Sequence, residues 1–354
     1  MNTIFTKIEE QYKLNLPFVA YRKPDSNLVS GFFMKDAAVI YTTDFTEKGF
    51  VFAPFNSHEN AILFAKDKAA FIVENIVLKD DFTASSFFEK KNSTNKEKYV
   101  AIIEKALDTI NCNQLKKVVI SREEEIQLTN FKVINTFKKL LKKYTNAFVY
   151  VWFHPKIGLW FGATPEALLQ VSNASFKTMS LAGTQVFTGK KTIVWKSKEL
   201  EEQQMVTNFI ESSLQNISHN LQLDKKETIK AGNLLHLKTN VTGILNTTSN
   251  LQQLIKALHP TPAVCGLPRE KAKFFILDNE QYERTFYTGF LGEINLQNAT
   301  NDQVISNLYV NLRCMQVKDN LATIYVGGGI TKESNPEKEW LETVFKSKTI
   351  KQAL

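Results

Sequence analysis

The stretch His259–Glu270, HPTPAVCGLPRE, constrains the fold more than any other part of this 354-residue chain. Pro260 and Pro262 fix φ and lack backbone donors, so neither a helix nor a central strand can run through them. Gly266 permits a sharp bend or a close backbone approach. Pro268 suits the first turn of a helix over Arg269 to Leu277. A stiff apolar loop that opens a helix is a good wall for a small-molecule pocket. By composition alone, a plain structural connector explains the stretch better.

The chain is long enough to bury a large core, as one domain or two. Apolar residues make up 43% and charged residues 23%, ordinary values for a globular protein. The net charge of +8 comes from lysines spread along the chain, without an RNA-binding or zinc-finger motif. A solvated surface, not a nucleic-acid partner, is therefore expected. A positive field would still draw in a dianionic small molecule. Cys112, Cys265 and Cys314 are widely separated and read as reduced thiols. Met1 to Leu14 lacks a signal-peptide core, and no run of about 18 apolar residues occurs. A cytoplasmic protein without a membrane partner is expected.

Residues 17–76 carry short β-rich runs, at Phe18–Tyr21, Leu28–Met34, Ala38–Tyr41, Phe50–Phe55 and Ala61–Phe64, which suggest an antiparallel sheet without a catalytic motif. Leu78 to Lys98 is polar and reads as a surface connection. Lys96 to Ile110 and Val133 to Tyr144 have helical spacing. Lys117-Val-Val-Ile reads as a buried strand headed by two lysines. A shift of one residue flips a side chain to the other face, so only one of Lys116 and Lys117 can point into a pocket. Taken alone, either reads as a strand-end lysine reaching solvent. Glu166 lies between Pro165 and the apolar Ala167-Leu-Leu, where a carboxylate is costly unless paired or protonated. An exposed strand-edge glutamate is equally consistent with the sequence.

Trp195 to Leu214 reads as a helix whose inward stripe includes Val206, Phe209 and Ser213. Traced backwards, the stripe reaches Glu202 and Glu199, two carboxylates in need of a cation. Asn335–Lys346 reads as a capped helix with Glu339 and Glu342 on one face and Lys346 a turn further on. By spacing alone, that is an exposed charged helix. Tyr325–Ile330 is a glycine-rich strand end that lacks the features of a phosphate loop.

From about Lys117 to Lys346, these segments resemble, in order, those of the isochorismate synthases, a branch of the chorismate-utilising enzymes that also includes anthranilate, aminodeoxychorismate and salicylate synthases. HPTPAVCGLP matches that branch's HPTPAxxGxP motif. KVVISR is similar to its KVVLSR strand, which implies that Lys117 is the general base activating water. GATPEALL resembles GASPELL, which makes Glu166 the general acid. SLAGT matches a loop whose Gly183 and Thr184 line the substrate ring. Ala182 stands where aminodeoxychorismate synthases carry a nucleophilic lysine. KELEEQQ is a degraded KDRxEH motif in which Glu202 matches a metal ligand and Gln203 replaces histidine; a slip to Glu201 stays open. The resemblance also implies substrate contacts from His236, Ala263, Tyr287, Arg313, Gly327 and Lys346. For His236, a satisfied core histidine is nearly as good an account.

The implied fold is α+β: a large antiparallel β-sheet sandwich surrounded by helices, as in anthranilate synthase component I, forming one compact domain. Within it, residues 1–95 form a variable sheet-rich part and residues 96–354 the chorismate-binding region. Glu199, Glu202, Glu339 and Glu342 are hard oxygen donors suited to Mg²⁺, with Glu202 and Glu342 assigned to direct contact. The implied reaction isomerises chorismate to isochorismate, adding water at C2 and expelling the C4 hydroxyl, for menaquinone or siderophore biosynthesis. Lys117 must be neutral and Glu166 protonated to act in it, and burial favours both forms. A salicylate synthase, which also eliminates pyruvate, is the nearest alternative; a non-catalytic basic binding module is the remote one. No glutaminase subunit is expected, and a monomer is. The strand register yields a direct test. Lys117→Gln should abolish turnover with the fold intact, while Lys116→Gln should not; a dead Lys116 variant would reverse the register.

Overall fold

Some strands of this chain are apolar at every position rather than at alternate ones, which a strand tolerates only when both of its faces are covered. Phe148–His154 is one, buried throughout. The computed structural model describes residues 3–78, 86–89, 93–187, 193–231, 234–298 and 301–354. The first part runs through α1 (Thr3–Lys13), β1 (Phe18–Arg22), β2 (Leu28–Met34), β3 (Tyr41–Thr42), β4 (Gly49–Ala53), β5 (Ala61–Ala65), β6 (Ala69–Asn75) and β7 (Ser86–Glu89). Then follow α2 (Ser93–Asn111), β8 (Lys117–Thr129), α3 (Val133–Lys143), β9 (Phe148–His154), β10 (Gly158–Thr164), β11 (Ala167–Ser172), β12 (Ser175–Val186) and α4 (Ser197–Leu214). The remainder comprises β13 (Ser218–Leu223), β14 (Glu227–Ala231), β15 (Leu234–Leu245), α5 (Leu251–Leu258), β16 (Gly266–Leu267), α6 (Arg269–Asn279), β17 (Phe290–Gln297), β18 (Val304–Val310), β19 (Cys314–Lys318), β20 (Leu321–Ile330) and α7 (Pro336–Lys351).

Among the described residues the strands form two ten-stranded antiparallel sheets. The first is ordered β16-β8-β20-β19-β10-β9-β1-β2-β6, with β7 also on β8. The second is ordered β13-β15-β12-β11-β18-β17-β4-β5-β3, with β14 also on β15. Strands before residue 80 thus complete both sheets.

The period of two explains the layers. Phe148, Tyr150 and Trp152 meet Phe50, Phe52 and Leu291 of the other sheet in an aromatic interior. Val149, Val151 and Phe153 point outward beneath α1 and α3. On the second sheet Val51 and Ala53 point outward beneath α4 and α5. A further cluster packs Val118 and Ile120 of β8 against Tyr99 and Ile103 of α2 and Ala272 and Ile276 of α6. The result is helix, sheet, sheet, helix, the α+β sandwich expected from the sequence. No helix among the described residues is long and apolar enough to cross a membrane.

Some local expectations need correction. The run Ala38–Tyr41 gives only the short β3, although Ile40 O accepts from Leu63 N at 2.8 Å. β6 went unread because its half-exposed alternation lies on a sheet edge, where few apolar residues are needed. The expected connection over Leu78–Lys98 contains β7 and the start of α2; residues 79–85 and 90–92 of it lie outside the described residues. In α4 the buried stripe is Gln203, Val206, Thr207, Ile210 and Leu214; Val206 is inward as expected, while Phe209 and Ser213 are not part of the stripe. Phe209 sits at the margin, under the guanidinium of Arg269.

Candidate active site

The stiff loop and the glycine-rich strand meet at one cleft that opens to solvent. Its walls come from both sheets, from α4 and α7, and from the loop carrying Ala263 and Val264. The peptide bonds before Pro260 and Pro268 are cis. Arg284 fastens this loop to the neighbouring wall: Nη1 donates to Val264 O at 2.9 Å, Nη2 to Val119 O at 2.7 Å, and Nε to Glu280 Oε2 at 2.7 Å. Tyr287 and Tyr325 stack at 5.5 Å, and Tyr325 on Trp160 at 5.4 Å, giving the cleft a flat aromatic side.

Lys117 opens β8 with its side chain fully buried, while Lys116 is exposed. Its Nζ lies 3.0 Å from Glu202 Oε1, yet without hydrogen-bond alignment to any acceptor. Glu166 follows β10 in the turn that crosses between the sheets, and only 4% of it is exposed. Burial pushes its carboxyl up to about 8, against the opposing pull of Lys117, Arg313 and Lys346. At neutral pH it is an acid with a proton to give. His236 places Nδ1 3.1 Å from Thr184 Oγ1 and leaves Nε2 without a partner. Burial, reinforced by Arg313 and Lys346, lowers it to about 3, so the ring is neutral.

Arg313 reaches the cleft from a backbone at φ 48°, and the lining Thr288 stands at φ 60°. Neither residue favours the left-handed region, and such strain clusters at functional sites. Nη1 of Arg313 is buried without an acceptor, which leaves a fork of donors free for a carboxylate. Lys346 Nζ donates to Gly327 O at 2.9 Å and lies 2.6 Å from Glu342 Oε1.

Gly327, Gly328 and Gly329 form the floor between α4 and α7. A Cβ on Gly329 would stand 2.4 Å from Glu202 Oε1 and 3.0 Å from Lys117 Cε. One on Gly328 would stand 3.6 Å from Glu339 Oε2 and 3.7 Å from Glu342 Oε1. A Cβ at 329 would therefore displace the Glu202 carboxylate of α4, whereas one at 328 would stand at ordinary contact distance from those of α7. Burial works to raise Glu202, but Lys117, with Lys198 and Lys346, outweighs it and holds the carboxylate below its ordinary value. Burial and then Glu342 raise Glu339, although Lys198 pairs with it. These hard oxygen donors over a glycine cradle fit a divalent cation such as Mg²⁺. Among the described residues, no three acidic, histidine or cysteine side chains are already gathered around one point. Each carboxylate is held instead by a lysine.

The profile of the family described as chorismate binding enzyme matches residues 55–354. The chain belongs to this family. An isochorismate synthase, DhbC, of Bacillus subtilis is 27% identical over 278 residues, covering 73% of this chain and 68% of the relative. EntC of Escherichia coli K12, also an isochorismate synthase, is 28% identical over 249 residues, covering 67% of this chain and 62% of EntC. The matched segment therefore spans roughly two thirds of these relatives. A structure from Bacillus anthracis described as a DhbC-type isochorismate synthase superposes with a TM-score of 0.80 at 21% identity, covering 98% of both chains; that likeness concerns the fold.

In this member of the family, Glu166, Gly183, Thr184, Glu202, His236 and Ala263 line the cleft, as do Tyr287, Arg313, Gly327, Glu342 and Lys346. Lys117 reaches it through Glu202, and Glu339 stands behind Glu342. Glu199 is not brought in. Its carboxylate accepts from Lys196 N at 3.2 Å, at the N-terminus of α4. A first-turn glutamate finds unpaired backbone N–H groups and the positive end of the helix closer than any pocket cation. Glu201 is exposed, so the structure favours Glu202 in the degraded motif. Gln203, the histidine replacement, is buried and donates to Ser180 Oγ at 2.8 Å, Thr239 Oγ1 at 2.9 Å and Thr207 Oγ1 at 3.0 Å. Sequence reasoning missed Tyr325 as a wall, although it directly precedes the glycine floor, and Arg284 as the pin of the loop.

Glu166 makes stability depend on pH. Because its folded value lies above the ordinary 4.5, its contribution is complete below that value and is lost as pH rises through about 8. Glu166→Gln should therefore gain in thermal midpoint over the parent between pH 5 and 8.5, the gap widening and then levelling. A gap independent of pH would mean that the carboxyl titrates normally.

Proposed function

We propose that this chain is an isochorismate synthase, converting chorismate reversibly to isochorismate, a precursor for menaquinone or siderophore synthesis. The observation that carries the reading is a buried, protonated glutamate that lines the cleft in the turn after β10, together with a wholly buried lysine of β8 that meets the cleft through Glu202. Such a pair suits a reaction that takes a proton from water on one side and gives one to a departing hydroxyl on the other. Ala182 leaves no amine in the place where the related aminodeoxychorismate synthases attack, so water is the nucleophile.

In the forward direction, neutral Lys117 accepts a proton from water as the water oxygen bonds to C2. Both ring double bonds shift, C1=C2 to C1=C6 and C5=C6 to C4=C5, and the C4–O bond breaks as Glu166 supplies the proton that makes the hydroxyl leave as water. In reverse, the ammonium of Lys117 and the carboxylate of Glu166 exchange these roles. Arg313 and Lys346 grip the pyruvyl carboxylate, the guanidinium as a planar fork and the ammonium as a point charge. Thr184 and neutral His236 border the ring, and the Tyr287–Tyr325 face limits its tilt. Mg²⁺ held by Glu202 and Glu342 would supply positive charge to the ring carboxylate. Every proton step in this scheme belongs to Lys117 and Glu166.

Two outcomes test this. First, EDTA should stop turnover and Mg²⁺ restore it, and Glu342→Gln should raise the Mg²⁺ requirement at least about tenfold, the loss of one charged ligand costing more than about 1.4 kcal/mol; full activity in EDTA would remove the metal from the scheme. Second, chorismate and isochorismate should approach one equilibrium mixture from either side, unaffected by ammonium, with no pyruvate detected by coupled lactate dehydrogenase. Stoichiometric pyruvate, with salicylate appearing, would make the chain a salicylate synthase instead.

A further inference from the structure

Each carboxylate that the metal reading needs already has an ammonium partner. Glu202 has Lys117 and Glu342 has Lys346, at 3.0 and 2.6 Å, and both lysines have work of their own in the reaction. Glu339 has Lys198, which does not line the cleft and takes no part in the proposed chemistry. Its position also opposes local electrostatics. Lys198 is the second residue of α4, and a cation in a first turn is repelled by the positive end of its own helix. What offsets that repulsion is Glu339 on the facing α7, whose side chain is only 2% exposed while that of Lys198 is 21% exposed. Glu339 and Glu342 both approach the flank of Gly328, so without a cation between them they repel each other.

We infer that Lys198 is an exchangeable counter-cation of the metal site, which occupies Glu339 while no divalent ion is bound and must release it when one binds. The inference rests on Glu202 and Glu342 holding that ion. Lys198 would then have two consequences. It keeps α4 and α7 together across the glycine floor, and it weakens metal binding by the cost of breaking the Lys198–Glu339 pair. Metal binding would be tightened further by a substrate dianion, whose carboxylates draw Lys346 and Arg313 to themselves and leave Glu342 to the ion.

The test is binding rather than turnover. Substrate-free protein is titrated with Mg²⁺ by calorimetry and with Mn²⁺ by electron paramagnetic resonance. Lys198→Met should tighten binding on the order of tenfold, equivalent to about 1.4 kcal/mol. Lys198→Arg should return it to the parent value. Lys198→Gln, which retains a donor for Glu339 without the charge, should behave like Lys198→Met and serves if the apolar variant does not fold. Unchanged or weaker binding in the uncharged variants, with the parent binding normally, would overturn the role of Lys198 alone. No binding by the parent even with chorismate present, or tight binding that survives Glu342→Gln, would overturn the metal reading beneath it.

Discussion

The constraint on which this structure depends is that charge removed from water must be answered by charge or neutralised by a proton. Between the two sheets, the chain gathers Lys117, Glu166, Glu202, Arg313, Glu339, Glu342 and Lys346 within reach of one glycine floor. Glu202 and Glu342 are answered by lysines, and Glu339 by Lys198. Glu166 has no such partner within contact and is answered by keeping its proton. Arg313 is left with an unused donor, which marks where an anion belongs. The same balance of opposing fields that allows the site to exist without a ligand leaves a place for an anionic group at Arg313.

The sandwich makes that arrangement affordable. Because helices cover both outer faces, β1, β4 and β9 are buried throughout and contribute apolar surface on two sides. The charged cleft lies where β8 and β20 of one sheet approach β12 and β15 of the other, and Trp160, between Tyr325 and Phe52, joins its aromatic side to the interior cluster. Rigid strands position Lys117 and the glycines, while tight turns hold Glu166 and Arg313. Preorganisation on such elements is what a proton-transfer site requires.

The parts of this picture legible in the sequence are those governed by short periods. A strand period of two says that only one of Lys116 and Lys117 can face a pocket, and the resemblance to the KVVLSR strand selects Lys117. The proline pattern shows a stiff loop, with Ala263 as a substrate wall implied by the resemblance, and the apolar context of Glu166 leaves a perturbed carboxyl and an exposed strand-edge one equally open. The α4 stripe shows where such reasoning fails. Phe209 attracted the pattern, but the helix turns a run of small polar groups inward around Gln203, because Ser180, Thr207 and Thr239 can satisfy its donors there. Glu199 was read as a continuation of that stripe, although a first-turn residue answers first to its own helix end. Lys198 and Glu339 lie 141 residues apart, and nothing local foretells that they meet. Arg284 is similar: its carbonyl partners belong to two distant segments, and backbone acceptors leave no trace in sequence.

The three glutamates at the heart of the cleft also show why residue type alone does not assign a role. Glu166, Glu202 and Glu342 share one chemistry and one pocket. Burial dominates Glu166, whose charged neighbours reduce the shift without cancelling it, so it keeps a proton and can donate one. Burial of Glu202 is outweighed by Lys117 at contact distance, so it stays ionised and can ligate. Glu342 is partly exposed and paired with Lys346, which leaves it the freest to exchange partners. A gradient of burial crossed with the placement of the lysines therefore sets the three carboxyls apart, as the proposed roles of acid and metal ligands would require. A substitution that moved Lys117 out of contact with Glu202 would alter two roles at once, because the base and the ligand are defined by each other.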